Sequence, residues 1–126
     1  MPTARDLTPE QLARYRAAAR SRQQQETEAL ARREASAWKL AQRAAALLYD
    51  RFEVDRVVAF GSLTHPGCFT EWSDLDLAAW GLRPRDSLRA MAAVADLGTD
   101  VAANLVDVAT CSDTLRLVIE REGRPL

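Results

Sequence analysis

The first fifty residues carry a helical pattern of apolar and polar positions that neither glycine nor proline interrupts after Pro9. Thr8 is a residue type that caps helices, Pro9 suits the first helical position, and Glu10 adds negative charge to the first turn. Because no turn residue occurs between Pro9 and Asp50, the pattern predicts a helix well beyond the average length of about 11 to 12 residues.

The apolar stripe of this helix changes along its length, which indicates two parts with different surroundings. Residues 20–28 are almost wholly polar, whereas helically spaced apolar residues resume after them. We therefore expect residues 37–126 to form a domain, with residues 38–49 packed on its body, and residues 1–36 to form a helical arm that projects from it. A break at residues 21–25 that folds the arm back as a hairpin is the alternative, which the absence of turn residues disfavours.

Downstream of the long helix, short apolar segments alternate with turns and with two further amphipathic helices. Asp86 or Ser87 can cap the first of these helices, and Ser112 can cap the second, which Gly123 would end. The order of elements is typical of an α+β fold. We expect a small mixed or antiparallel sheet, helices packed on one face of it, and the long N-terminal helix before it. The predicted strands are 54–60, 75–80 and 101–108, and the predicted helices run to Ala95 and from Asp113 to Arg121.

Charge is distributed unevenly along the chain. The 126 residues carry a net charge of −1, with 48% hydrophobic and 28% charged residues. Residues 1–49 hold nine Arg or Lys and five Asp or Glu, a net charge of +4, whereas residues 50–126 hold eight and thirteen, a net charge of −5. A solvated helix face is the preferred interpretation of the basic part over a surface for an acidic partner, and we expect no direct binding of nucleic acid.

Neither membrane insertion nor secretion is indicated. No run approaches the ~18 apolar residues of a membrane span, and no apolar signal core follows Met1. Cys68 and Cys111 are too far apart to form a zinc-binding motif, and two cysteines do not make a disulfide framework. We expect a cytoplasmic protein without a membrane partner.

Candidate functional residues lie on either side of the loop between the first two predicted strands. Gly61 and Ser62 leave an apolar strand, and such a turn can present backbone N–H groups to phosphate. Eleven residues later come Asp74 and Asp76, whose spacing in a strand points both carboxylates to one face. Asp107, in the third predicted strand, would complete a three-carboxylate metal site. The simpler alternatives are a plain strand-to-loop turn, solvated carboxylates at a strand end, and a surface position for Asp107.

The chain carries a motif that resembles the one typical of the minimal nucleotidyltransferase family, within the polymerase-beta-like nucleotidyltransferase superfamily. The motif consists of Gly61-Ser62, eleven intervening residues, and then Asp74-Leu75-Asp76. The resemblance runs from Leu40 to Gly123. One departure is the loop 63–72, which lacks the basic residue that is common after Gly-Ser in this family.

The resemblance implies an α+β nucleotidyltransferase that takes AMP from ATP with the help of two Mg²⁺ ions. Asp74 and Asp76 would hold the metal. Asp107 would bind the ion that carries the attacking hydroxyl and help to remove its proton. Ser62 and the backbone at Gly61 would receive the β and γ phosphates.

Small stand-alone members of this family commonly act as antitoxins of helical HEPN-domain ribonucleases, and some transfer AMP to a tyrosine of the toxin. The resemblance therefore implies a protein adenylyltransferase antitoxin whose partner is a HEPN toxin. The alternative is a non-catalytic binding module that neutralises its partner by complex formation alone. Modification of a small molecule is disfavoured, because the chain has no room for a substrate domain. We expect His65 to be an ordinary loop residue, and Trp72 and Trp80 to serve loop anchoring and core packing rather than stacking on adenine.

Overall fold

The computed structural model describes residues 6–126. Its first element is one helix, α1 (Pro9–Phe52), which continues through residues 21–25, so the hairpin alternative is wrong. Thr8 caps it as predicted, within a capping box. The Thr8 hydroxyl accepts from the Gln11 N–H at 3.1 Å, and the Gln11 side chain accepts from the Thr8 N–H at 2.9 Å.

The chain divides into two compact units, Met1–Arg32 and Arg33–Leu126. In the first unit the described side chains are mostly exposed, in keeping with their polar pattern. The second unit contains the sheet and the hydrophobic core. Five residues of the predicted arm, 1–5, lie outside the described part, and the division into an arm of 36 residues and a domain stays a prediction. Among residues 6–126, no helix has both the length and the apolar character that a membrane crossing requires.

The second unit is built on a four-stranded mixed sheet, which confirms the predicted α+β class. Its strands are β1 (Arg56–Phe60), β2 (Leu75–Trp80), β3 (Ala103–Asp107) and β4 (Arg124–Pro125), and the further helices are α2 (Ser87–Leu97) and α3 (Asp113–Glu122). The strand order is β3-β2-β1-β4, with β2 and β3 parallel and the other pairs antiparallel. The helix α2 makes the crossover that a parallel pair needs. Among these four strands, β4, which is two residues long, is the one absent from the predicted elements.

Both faces of the sheet are covered, which corrects the expectation that the helices pack on one face. Val57 and Ala59 belong to the main hydrophobic cluster, together with α1 and α2. Val58 points the other way and belongs to a second cluster that includes Ile119 of α3. The physical reason is the unbroken apolar sequence of β1, which leaves apolar side chains on both faces and so requires a cover on each.

One arginine of α1 holds the loop that leads into β2. The Arg33 guanidinium donates to three backbone carbonyls, from Nε to Thr70 at 3.3 Å, from Nη2 to Ser73 at 3.1 Å and from Nη1 to Asp100 at 3.0 Å. Its Cζ atom also lies 5.8 Å from the ring centroid of the buried Phe69. The rigid five-donor fork of arginine suits this arrangement. Arg33 therefore fixes the chain just before the candidate carboxylates.

Replacing Arg33 tests this contact. Arg33→Ala should destabilise the protein by about 1–2 kcal/mol, because three carbonyls lose a charged donor. Arg33→Lys should lose most of the same stability, since an ammonium group lacks the planar fork. The control is Arg32→Ala, an exposed neighbour on the same helix that should cost less than about 0.5 kcal/mol. Equal midpoints for Arg33→Ala and Arg32→Ala in chemical denaturation would contradict the assignment.

Candidate nucleotide-binding site

A left-handed turn ends β1 and forms one side of the candidate site. Gly61 has a φ of +79°, a conformation that favours glycine. A Cβ atom at this position would lie 2.8 Å from Oδ2 of Asp76. The 3-10 helix Gly61–Thr64 follows, and the Thr64 hydroxyl donates to the Gly61 carbonyl at 2.8 Å. The backbone of this turn reaches the Asp76 carboxylate only because residue 61 has no side chain.

The predicted carboxylate pair lies where β2 begins. Asp76 is opposite Phe60 in the antiparallel pair, on the sheet face of the second cluster, and Asp74 is two positions earlier. The side chain of Asn104 joins them, because Nδ2 donates to Oδ2 of Asp74 at 3.3 Å and to Oδ1 of Asp76 at 3.4 Å. The structure thus brings together two of the three predicted carboxylates and an amide that the predicted site lacks.

Asp107 does not join this group, so the expectation that three carboxylates converge is wrong. In the parallel pairing of β2 and β3, Asp76 is beside Asn104, whereas Asp107 is beside Ala79, three positions further along. Ala79 belongs to the main cluster, on the opposite face. The Asp107 side chain is 3% exposed and accepts from the Ala109 N–H at 3.1 Å, capping the short 3-10 helix that follows β3. Its role in the structure is a cap.

Strand alternation narrows the choice to one of Asn104 and Asp107, but it does not by itself identify Asn104. Residues 104 and 107 are an odd number of positions apart, so only one of them can share a face with Asp76. Choosing between them requires the register of β2 and β3, and that register is not visible in either strand alone. The acidic residue is chemically the more attractive candidate, which is why the prediction falls on Asp107.

The donor set fits a divalent cation. Within residues 6–126, no group of three or more His, Cys, Asp or Glu side chains is arranged to hold a metal ion. Asp74 and Asp76 nevertheless offer carboxylate oxygens, and Asn104 can offer an amide oxygen if its side chain turns over. Oxygen ligands of this kind suit Mg²⁺, which usually binds proteins through one or two carboxylates and takes further ligands from phosphates and water.

The surroundings of Asp76 make its negative charge costly. Burial raises the pKa of the Asp76 carboxyl, the hydrogen bond from Asn104 lowers it, and the nearby charge of Asp74 raises it, so that the overall direction is upward. A cation bound at this carboxylate would offset both the burial and the repulsion.

Of the three further residues for which the sequence predicts structural roles, His65 and Trp80 have structural contacts. His65 and Glu122 pair through Nε2 and Oε2 at 3.1 Å. Trp80 is partly buried against the second cluster, and the Arg56 guanidinium carbon lies 4.4 Å from its ring centroid. Trp72 differs from the expectation of an anchor, because it is 86% exposed.

Comparison with known proteins gives matches to solved structures. No family model matches the chain, and no curated protein matches it. A chain in a crystal structure of a mutant of the toxin-antitoxin MntA-HpeT matches with a TM-score of 0.53 and 24% identity, over 68% of this chain and 69% of that chain. A chain in a crystal structure of a toxin-antitoxin with AMP-PNP matches with a TM-score of 0.54 and 21% identity, over 68% and 70% of the two chains. A proposed minimal nucleotidyltransferase matches with a TM-score of 0.44 and 28% identity, over 79% of this chain and 94% of that chain.

The first two matches, which have the higher TM-scores, show a shared fold. The chain therefore has the α+β fold that its sequence implies. It shares that fold with the matched chains of the two toxin-antitoxin structures, which agrees with the family resemblance at the level of the fold.

Substitution of Gly61 tests the close approach of the turn to Asp76. Gly61→Ala should cost about 1–3 kcal/mol of stability, because it combines backbone strain with a collision against the carboxylate. The matched control is Gly67→Ala, since Gly67 has a φ of +76° but no atom within 4 Å of an added Cβ. In that variant only the backbone strain should lower the free energy of unfolding, by about 1 kcal/mol. Equal losses in urea denaturation would contradict the contact between the turn and Asp76.

The pKa shift of Asp76 predicts a pH dependence of stability. A raised pKa in the folded state means that the folded protein binds more protons than the unfolded chain, so stability falls as pH rises above the ordinary value of an Asp carboxyl. At neutral pH and without metal, Asp76→Asn should therefore be more stable than the wild type, by less than about 1 kcal/mol because the group is only half-buried. Thermal melts from acidic to neutral pH should show this advantage growing with pH. A difference that is constant with pH would be evidence against the shift.

Proposed function

We propose that this chain is the antitoxin of a toxin-antitoxin pair, and that it binds Mg²⁺-ATP at the Gly61 turn and the carboxylate pair. The observation that carries the proposal is the approach of the turn to Asp76, which sets a potential phosphate-binding backbone beside two acidic oxygen ligands. The fold shared with chains of two toxin-antitoxin structures supports the antitoxin part. A nucleotide analogue, AMP-PNP, in one of those structures supports the nucleotide part.

Each site residue has a role in this proposal. Asp74 and Asp76 hold the cation, and Ser62 with the backbone N–H groups of the turn receives the terminal phosphates. A bound Mg²⁺ supplies positive charge that offsets the charge of the triphosphate and of the leaving pyrophosphate. Arg33 keeps Asp74 in place by holding the carbonyl of Ser73, the residue just before it.

The proposed reaction is transfer of AMP to a hydroxyl of the partner toxin. The hydroxyl oxygen bonds to the α-phosphorus of ATP while the bond from that phosphorus to the α–β bridging oxygen breaks. Pyrophosphate leaves with the bonding electrons, and the hydroxyl proton passes to solvent. The sequence resemblance favours a HEPN ribonuclease as the partner and a tyrosine as the acceptor. The need for ATP and for an intracellular target favours the cytoplasm as the place of action.

A second candidate function is neutralisation by complex formation alone, without AMP transfer. One observation favours it: the residue beside Asp76 on the neighbouring strand is the neutral Asn104, and Asp107 is committed to its cap. The site then has no third carboxylate to take the proton of an attacking hydroxyl.

Incubation with the toxin from the adjacent gene, Mg²⁺ and ATP labelled at the α-phosphate tests the proposal. We expect label on the toxin and loss of its ribonuclease activity. Asp76→Asn should reduce labelling by about 100-fold or more, because it removes charge stabilisation at the reacting phosphate. The control is Asp96→Asn, an exposed carboxylate on α2 that should label normally.

The outcomes separate the two candidates. Label that persists in Asp76→Asn would overturn the assignment of the site. Neutralisation without label, unchanged in Asp76→Asn, would establish the second candidate in place of transfer. Failure of the chain to bind or neutralise the toxin would overturn the antitoxin function itself.

A further inference from the structure

The third residue of the site is set by strand register. Asp76 and Asn104 are register partners in the parallel pair β2–β3, so their side chains leave the sheet on the same face. The Asn104 amide reaches both carboxylates, at 3.3 and 3.4 Å. Any ligand bound by Asp74 and Asp76 together would therefore contact the side chain at position 104.

The amide differs from a carboxylate in two chemical properties that matter here. It is uncharged, so the three side chains contribute a charge of −2 rather than −3 when both aspartates are ionised. It also accepts no proton near neutral pH. A second divalent cation would have to be held by the same two carboxylates as the first, with no third carboxylate of the protein to offset the repulsion between the ions.

Asp107 cannot supply the missing charge from its place in the fold. Its side chain leaves β3 on the opposite face from Asn104, and its position is three residues, about 10 Å, further along the strand. Its carboxylate already accepts a hydrogen bond from the Ala109 N–H.

We propose that Asn104, rather than Asp107, is the third residue of this site, and that its neutral amide limits the site to one divalent cation, bound together with the nucleotide. This inference rests on the nucleotide site of the proposed function, and it holds whether or not AMP is transferred. A single ion would suffice to hold the triphosphate between the carboxylates and the turn, and an acceptor hydroxyl would then lose its proton to solvent without the help of a second ion.

The test is Mn²⁺ binding to the full chain, because Mn²⁺ can be counted by electron paramagnetic resonance. With AMP-PNP present at saturation, the wild type should bind one Mn²⁺ per chain and Asn104→Asp should bind two. Without nucleotide, Asn104→Asp should bind Mn²⁺ about tenfold or more tightly than the wild type, because it adds a charge at contact distance. The metal-free Asn104→Asp protein should also melt at a lower temperature than the wild type, and Mn²⁺ should raise its melting temperature more.

The control variant is Asp107→Asn, which keeps an acceptor oxygen for the Ala109 N–H and should bind Mn²⁺ like the wild type. Two ions in the wild type, loss of Mn²⁺ in Asp107→Asn, or no gain in a folded Asn104→Asp protein would overturn the inference while leaving the nucleotide site standing. If Asn104→Asp does not fold, the number of Mn²⁺ ions bound by the wild type and Mn²⁺ binding by Asp107→Asn still decide whether the inference holds. A wild type that binds neither Mn²⁺ nor AMP-PNP would overturn the inference and the proposed nucleotide site together.

Discussion

The candidate site depends on the position of β2 inside the sheet, between an antiparallel and a parallel neighbour. The antiparallel neighbour brings the Gly61 turn against one oxygen of Asp76, and the parallel neighbour brings Asn104 to the other. Asp76 is thereby partly removed from water, which raises its pKa and makes a cation the natural means of offsetting its charge. Both pairings must form before the site exists.

The rest of the second unit supports this arrangement from three sides. The apolar residues of α1 and α2 cover one face of the sheet, and α3 covers the other. The loop between β1 and β2 is fastened by the buried Phe69 and by the hydrogen bonds of Arg33. The long helix α1 therefore serves the site directly, because its arginine holds the segment that carries Asp74. The sheet supplies the register, and the loop contacts fix the ends of the strands.

Features with a local cause could be predicted from the sequence. The capped start of α1, the α+β class and the pairing of a Gly-Ser turn with two carboxylates at i and i+2 follow from residue types and spacing alone. Features that depend on register or on contacts distant in sequence could not be. Asn104, rather than Asp107, lies beside Asp76 because of the register between β2 and β3. The helix α3 packs on the second face of the sheet because β1 is apolar on both sides. Arg33 donates hydrogen bonds to residues 37 to 67 positions away in the sequence.

The central claim is that a nucleotide-bound cation lies between the Gly61 turn and the carboxylates of Asp74 and Asp76. Anomalous diffraction from crystals of the chain grown with Mn²⁺ and AMP-PNP measures this directly. The account predicts one manganese peak, coordinated by both aspartates and by phosphate oxygens, with Asn104 beside it. A peak at Asp107, or a nucleotide bound away from Gly61, would contradict it.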